Sequence, residues 1–175
     1  MGIATIANAL SRSECRRAIE AAQEESFERG QMAGGTVGTR ECYCAWIPDR
    51  EHRTWLYDRV ASIFEDANRQ FQFSMTGIVE PLMAVSYGLG DYFEWHLDTG
   101  PGLAANRKLS LSLLLTEPQG YQGGNLEISA GAPMDLRLAA GTAIVFPSFL
   151  AHRVTPVTAG RRIALVAFAH GPTFC

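Results

Sequence analysis

From Pro81 onward the hydrophobic pattern of this chain has a period of two, and no other feature limits its possible folds as strongly. The run Leu109-Ser-Leu-Ser-Leu-Leu-Leu115 alternates at first as a half-buried strand does, because successive side chains of an extended backbone point to opposite faces. Strand-like runs recur at 82–87, 125–129, 134–138, 142–146, 152–157 and 162–169. Turn signals at 88–90, 121–124, 130–133, 140–141 and 158–160 separate them, and the 17 glycines suit such a turn-rich architecture.

The front of the chain has a different period. Ser11-x-x-Glu14 has the form of a capping box, and Cys15, Ala18, Ile19 and Ala22 follow at helical spacing, with Gly30 as the stop. The 34–38 stretch reads as a loop. A second helix runs from about Glu51 to Asn68, with Leu56, Val60, Ile63, Phe64 and Ala67 as its buried stripe. Two helices followed by many short strands predict a mainly β fold, a sandwich or barrel with flanking N-terminal α-helices. A chain of 175 residues fits one domain, divided into a helical flank at 1–80 and a strand-rich core at 81–175.

With 47% hydrophobic residues the chain can bury a sizeable core, and its net charge of −3 advertises neither nucleic acid nor an anionic membrane as partner. Its longest apolar runs are strand-sized, and residues 1–10 lack the basic and apolar regions of a secretory signal. These features predict a soluble, cytoplasmic protein. Cys15, Cys42, Cys44 and Cys175 then read as free, mostly inert thiols in a reducing compartment.

The chemistry concentrates at His96-x-Asp98. On an extended segment, residues two apart share a face, so an imidazole and a carboxylate converge. A metal site needs a third ligand, and the strand-rich half offers His152 and His170. His152 opens a strand after the apolar run Ile144-Val-Phe-Pro-Ser148, whereas His170 sits beside Gly171-Pro172, where a loop or surface histidine is expected. Two histidines and one carboxylate leave three positions open on one face of an octahedral metal, the arrangement of non-haem Fe(II) oxygenases. The 152–157 and 162–169 segments flank the turn at 158–160 and read as an antiparallel hairpin. A turn centred on Ala159 puts His152 and Arg162 on one face, about four residues or roughly 13 Å apart along the strand. A five-carbon diacid on the metal, met by an arginine fork, spans such a gap. A one-residue slip would exchange Arg161 for Arg162.

These residues resemble the prolyl-4-hydroxylase-like branch of the Fe(II)/2-oxoglutarate dioxygenases, especially the PKHD-type hydroxylases. The resemblance rests on Tyr87-x-x-Gly90, His96-x-Asp98, Arg107-Lys-Leu-Ser-Leu-Ser112 and Tyr121-x-Gly-Gly124-x-Leu126. It continues through Phe146-Pro-Ser148, His152-Arg-Val-Thr-Pro-Val-Thr158, Gly160-x-Arg162 and Gly171-Pro-x-Phe174. It implies a double-stranded β-helix (jelly-roll) core. His96, Asp98 and His152 match the family's catalytic iron ligands, Arg162 its 2-oxoglutarate carboxylate partner and Tyr87 a co-substrate tyrosine. Phe93 stands where the motif often has a second tyrosine, which bears on substrate contacts. The implied cofactor is Fe(II), with 2-oxoglutarate and O₂ as co-substrates. The implied reaction couples oxidative decarboxylation, giving succinate and CO₂, to hydroxylation of a C–H bond. Asp98 favours that outcome, because related halogenases lose this carboxylate. Desaturation and cyclisation stay open.

Phe93 and Trp95 are candidates for the substrate wall or for core packing. Glu94 shares the parity of His96 and Asp98 and is a candidate for the pocket mouth. The segment 99–102 reads as a lid or a plain turn. Arg107 and Lys108 are expected to face water, and His52 has no assigned role. A small-molecule or peptidyl substrate is implied, and the sequence assigns no oligomeric state. Two competing readings remain. One is a jelly-roll protein that binds a metal such as Zn²⁺ without catalysis. The other is an AlkB-like nucleic-acid demethylase, which the acidic balance does not support.

Overall fold

The computed structural model describes residues 2–30, 40–129, 133–136 and 138–173. The loop expected at 34–38, part of the turn at 130–133, the Phe174 end of the last motif and Cys175 lie outside them. The chain starts with β1 (Ala4–Ile6), α1 (Arg12–Gln23), β2 (Glu28–Arg29), β3 (Arg40–Glu41) and β4 (Tyr43–Ile47). A 3-10 turn at Glu51–Arg53 leads into α2 (Thr54–Phe71), followed by β5 (Gly77–Ile78), β6 (Leu82–Tyr87), β7 (Tyr92–His96) and β8 (Arg107–Leu114). The last seven strands are β9 (Tyr121–Gly123), β10 (Leu126–Ser129), β11 (Pro133–Leu136), β12 (Ala143–Pro147), β13 (His152–Val154), β14 (Val157–Gly160) and β15 (Arg162–His170).

Their pairing is antiparallel throughout. The larger sheet runs β1-β12-β8-β15-β6-β4-β2, with β5 also on β15; the smaller runs β11-β10-β13-β7-β3, and β14 pairs with β9. Two antiparallel sheets facing each other, with α1 and α2 covering the outside of the larger one, make the jelly roll with flanking helices that the sequence led us to expect.

The expected capping box forms at α1: Ser11 Oγ accepts from the Glu14 amide at 3.3 Å and Glu14 Oε2 accepts from the Ser11 amide at 2.8 Å. The helix stops at Gln23, well before Gly30. Helix α2 buries the five residues of the expected stripe and ends at Phe71, where Gln72 takes a left-handed conformation (φ 56°). Its start is pinned by the buried Arg53, whose guanidinium reaches Glu24 and Glu25, each at 2.6 Å.

Three further expectations of the fold fail. The front is not purely helical: β1 to β4 extend both sheets, but strands of two to five residues are too short to imprint a period. The expected hairpin does not form, since β13 pairs with β10 and β7 in the smaller sheet while β15 lies between β8 and β6 in the larger. Pro156, lacking an amide hydrogen, interrupts the run between β13 and β14, and the chain crosses between sheets there. The 121–124 turn is partly a strand, β9, packed so closely on that crossing that a Cβ at Gly123 would stand 2.3 Å from the Pro156 carbonyl oxygen.

Candidate active site

His96 ends β7 and His152 opens β13, and the two are cross-strand partners. Asp98 follows two residues after β7. Its amide donates to the Ser148 carbonyl and its carbonyl accepts from Arg107, both at 3.0 Å. The three side chains converge: Asp98 Oδ2 lies 3.3 Å from His152 Nε2 and Oδ1 lies 3.8 Å from His96 Nε2, with all three donor atoms within 4.8 Å of one another.

Both rings are held by their far nitrogens. His96 Nδ1 is 2.7 Å from the Glu94 carbonyl and His152 Nδ1 is 3.0 Å from the Leu150 carbonyl. A carbonyl only accepts, so Nδ1 carries the hydrogen and the Nε2 lone pair is left for a cation. Phe93 stacks on His96 with centroids 3.5 Å apart, and Phe146 meets His152 edge-on at 4.8 Å. Burial, together with the neighbouring His152, lowers the His96 pKa to about 4, so the ring is neutral and able to ligate at physiological pH. Two imidazoles and one carboxylate on one wall, with open space in front, fit a divalent iron.

That space is a cavity of about 620 Å³ running from the cluster to Arg162 on β15. Arg162 is buried, faces Tyr87 across β6 and β15, and lies 5.5 Å from the centre of the Tyr87 ring. Among the described residues it has no carboxylate partner. Arg161 takes the opposite face and donates to Ser86 Oγ at 3.0 Å. Arg162 therefore faces the cavity as expected, but from the opposite sheet to His152 rather than along one hairpin. Burial raises the Tyr87 phenol above its usual range, keeping it protonated.

A bulge decides the fate of the other candidates. His152 pairs with His96 and Val154 with Phe93, so three residues of β7 oppose two steps of β13. The extra residue breaks the parity. Phe93 joins His96 in lining the cavity, whereas Glu94 is exposed and Trp95, also exposed, packs its ring under Arg153. Neither Glu94 nor Trp95 is among the cavity's described lining residues. Thr99, Gly100 and Pro101 do line it, beside Asp98.

Two buried features run against the sequence reading. Arg107 does not face water: it pairs with Glu80 at 2.7 and 2.5 Å, lies 3.6 Å over the Phe168 ring and holds the Asp98 carbonyl. Lys108 beside it is buried. His170, expected at the surface, is buried with Nε2 2.9 Å from Glu80. Nothing in the local pattern announces this network, because Glu80 precedes β6 in a segment without periodicity.

An antiparallel jelly roll with two imidazoles and a carboxylate at the mouth of its cavity defines a class of metal-site proteins. Residues 82–170, just over half of the 175-residue chain, match the family described as the 2OG-Fe(II) oxygenase superfamily, and the chain belongs to it. Membership implies Fe(II) with 2-oxoglutarate and O₂. Among curated proteins, the chain is 28% identical over 157 residues to a PKHD-type hydroxylase of Psychrobacter sp., covering 83% of this chain and 60% of that one. It is 32% identical over 126 residues to a PKHD-type hydroxylase of Sphingopyxis alaskensis, covering 67% and 58%. It thus spans about three-fifths of the length of these relatives. Its fold is similar to a Pseudomonas putida prolyl-4-hydroxylase (TM-score 0.78, 20% identity, 98% of this chain and 93% of that one). It is equally similar to a Trichoplax adhaerens prolyl hydroxylase in complex with a hypoxia inducible factor peptide fragment (TM-score 0.79, 22% identity, 97% and 83%).

Proposed function

We propose that this protein is an Fe(II)- and 2-oxoglutarate-dependent dioxygenase that hydroxylates an unactivated C–H bond of an amino acid, a peptidyl residue or a natural-product intermediate. The observation that carries the reading is one cavity shared by a two-histidine, one-carboxylate cluster and a buried arginine with no carboxylate partner among the described residues. A protein that only bound metal would have no use for that arginine.

In this proposal His96, Asp98 and His152 hold iron through their converging atoms. The Arg162 fork receives the far carboxylate of 2-oxoglutarate, and the Tyr87 hydroxyl lies beside it. When bound, iron supplies the activation of O₂ that couples co-substrate decarboxylation to oxidation of the substrate. The chain's own part is to orient and to exclude water. Phe93 and Phe146 fix the imidazole planes, Arg107 fixes the backbone at Asp98, and the apolar wall of Met83, Val85 and Val166 keeps the cavity dry. Phe93 is the lining aromatic set closest to the cluster and the residue we assign to substrate contact; Glu94 and Trp95 fit a role at the rim only.

We take residues 1–175 as one dioxygenase domain, since β1, β2 and β4 complete the same sheet as β6 and β15. No described helix is long and apolar enough to cross a membrane. A small-molecule or peptidyl substrate in a cytoplasmic, reducing setting accords with the free thiols of Cys15, Cys42 and Cys44. The test is O₂ consumption by the iron-loaded protein over a library of amino acids and short peptides. The proposal predicts uptake that requires 2-oxoglutarate and yields succinate in equal amount. Metal binding with no 2-oxoglutarate-dependent uptake would identify a non-catalytic metal-binding jelly roll instead.

A further inference from the structure

Beside the candidate active site lies a second cluster that the oxygenase reading does not use. Cys42 and Cys44 flank Tyr43 on an extended segment, so both thiols fall on one face, with sulfurs 3.9 Å apart. Arg40 grips the pair, with Nε 2.9 Å from Cys42 Sγ and Nη2 2.8 Å from Cys44 Sγ. Among the described residues Arg40 has no carboxylate partner, so the sulfurs are its counter-charge. The strand opposite makes room for this: a Cβ at Gly30 would stand 2.8 Å from Cys42 Sγ, 3.0 Å from Arg40 Nε and 3.1 Å from Cys44 Sγ. Cys44 and Arg40 also line an open cavity of about 540 Å³ with Glu25, Glu28 and Arg29, which gives a small solute a route to the Cys44 end of the pair, with the buried Cys42 sulfur 3.9 Å behind it.

We propose that Cys42 and Cys44 are a reversible dithiol–disulfide site, oxidised by hydrogen peroxide or a small hydroperoxide and reduced by a low-molecular-weight thiol. The thiolate attacks one peroxide oxygen, the O–O bond breaks, and hydroxide leaves to become water on taking up a proton. The sulfenic acid so formed is attacked by the second thiol, whose sulfur displaces hydroxyl as a second water. Two thiols and one hydrogen peroxide thus give one disulfide and two waters. The sulfur pair loses two electrons and the peroxide gains two. Two monothiols reverse the step and leave as their own disulfide.

The chemistry of the pair supports this. The hydrogen bond from Cys44, with burial opposing and the Arg40 charge assisting, lowers the pKa of Cys42 to about 7, while the neighbouring Cys42 sulfur and burial raise Cys44. One proton is shared, so one sulfur is nucleophilic near neutral pH. Cys15 is the internal contrast: buried in the helix-side core, its thiol is raised to about 11. Residues two apart on a strand have Cα atoms about 6.6 Å apart, near the upper end of the ~4.4–6.8 Å that a disulfide spans. The backbone can therefore close the bond without leaving its extended form, so the pair can switch between dithiol and disulfide. Its effect on the active site rests on the oxygenase reading. Arg40 lies 4.7 Å over the Phe93 ring, which stacks on His96. A disulfide is a poor acceptor, so oxidation frees Arg40 beside the substrate cavity that it already lines.

The test uses the full-length reduced protein, stripped of metal so that peroxide meets only thiols, and reads mass spectra after alkylation. One to two equivalents of hydrogen peroxide should remove two hydrogens (about 2 Da) from the peptide holding Cys42 and Cys44, and dithiothreitol should restore them. Cys15 should stay unmodified. In Cys44→Ser the reaction should stop at a sulfenic acid on Cys42 that a cyclic 1,3-diketone traps. In Arg40→Met oxidation at pH 7 should slow about fivefold, the loss of thiolate expected when a pKa of about 7 rises by one unit. Cys42 and Cys44 reacting no faster than Cys15, or going straight to sulfinic acid without a disulfide, would overturn the proposal. No iron takes part, so either result stands apart from the outcome of the O₂-consumption test.

Discussion

On the helix side of the larger sheet, Leu82, Leu113, Val145 and Leu165 pack against Leu56, Val60 and Phe64 in a closed apolar core. An odd number of residues away along the same strands, Met83, Ile144, Phe146 and Arg162 turn the other way, into the roll. There the packing stops short of filling the space, a cavity remains, and buried polar groups gather around it. The two faces differ by a single step in register, yet one is spent on cohesion and the other on chemistry. The lesson is that stability and function are separable here residue by residue, although they share every strand.

That separation can be broken or sharpened by substitution, and the largest effect belongs on the inner face. His152→Ala removes a metal donor, and its loss should exceed the 10–100-fold in metal affinity that supporting partners are worth. Isothermal titration with Fe(II) or Mn(II) under anaerobic conditions measures it, and global stability of the metal-free protein should barely change. Next is Arg162→Ala, which should weaken 2-oxoglutarate by about 30-fold or more, the equivalent of losing roughly 2 kcal/mol of charge-assisted hydrogen bonding. Metal affinity without co-substrate should stay as it is.

The outer face should respond in the opposite sense. Leu165→Ala leaves a cavity behind β15 and should cost about 2–5 kcal/mol in denaturant unfolding, with metal affinity of the folded fraction unchanged. Arg107→Met tests the border between the two regions, because its guanidinium holds the Asp98 carbonyl and also pairs with Glu80, which His170 reaches from β15. It should lower metal affinity by about 10-fold, at the weak end for a supporting partner. The smallest effect is at the helix cap. Ser11→Ala should cost about 1 kcal/mol of stability and leave metal and co-substrate binding untouched.

The same division governs what the sequence discloses. Residues that pack by periodicity were legible: the stripe of α2 and the bounds of β6 at Leu82–Tyr87 follow from spacing alone. The convergence of His96 and Asp98 was legible for the same reason. Hidden features are those in which the chain departs from a period or reaches far along itself. The bulge in β7 swaps Phe93 for Glu94 at the cavity and cannot be seen without the partner strand. The crossing at Pro156 sends two segments that look like a hairpin into different sheets. Arg107, Glu80 and His170 meet only after folding, so Arg107 and His170 looked like surface residues and Glu80 carried no signal. Cys42 and Cys44 looked inert because the sequence gives no sign that Arg40 folds back over both sulfurs.

In the proposed function one cavity holds iron on one sheet and the far carboxylate of 2-oxoglutarate on the other. The visible spectrum of the anaerobic protein tests it most directly, with Fe(II) and 2-oxoglutarate added singly and together to the wild type, His152→Ala and Arg162→Ala. A weak charge-transfer band that requires both additions is expected. It should be absent in His152→Ala and appear only at much higher 2-oxoglutarate in Arg162→Ala. Absence of a band in the wild type, with metal binding indifferent to 2-oxoglutarate, would mean that the two sheets do not share one iron–co-substrate site.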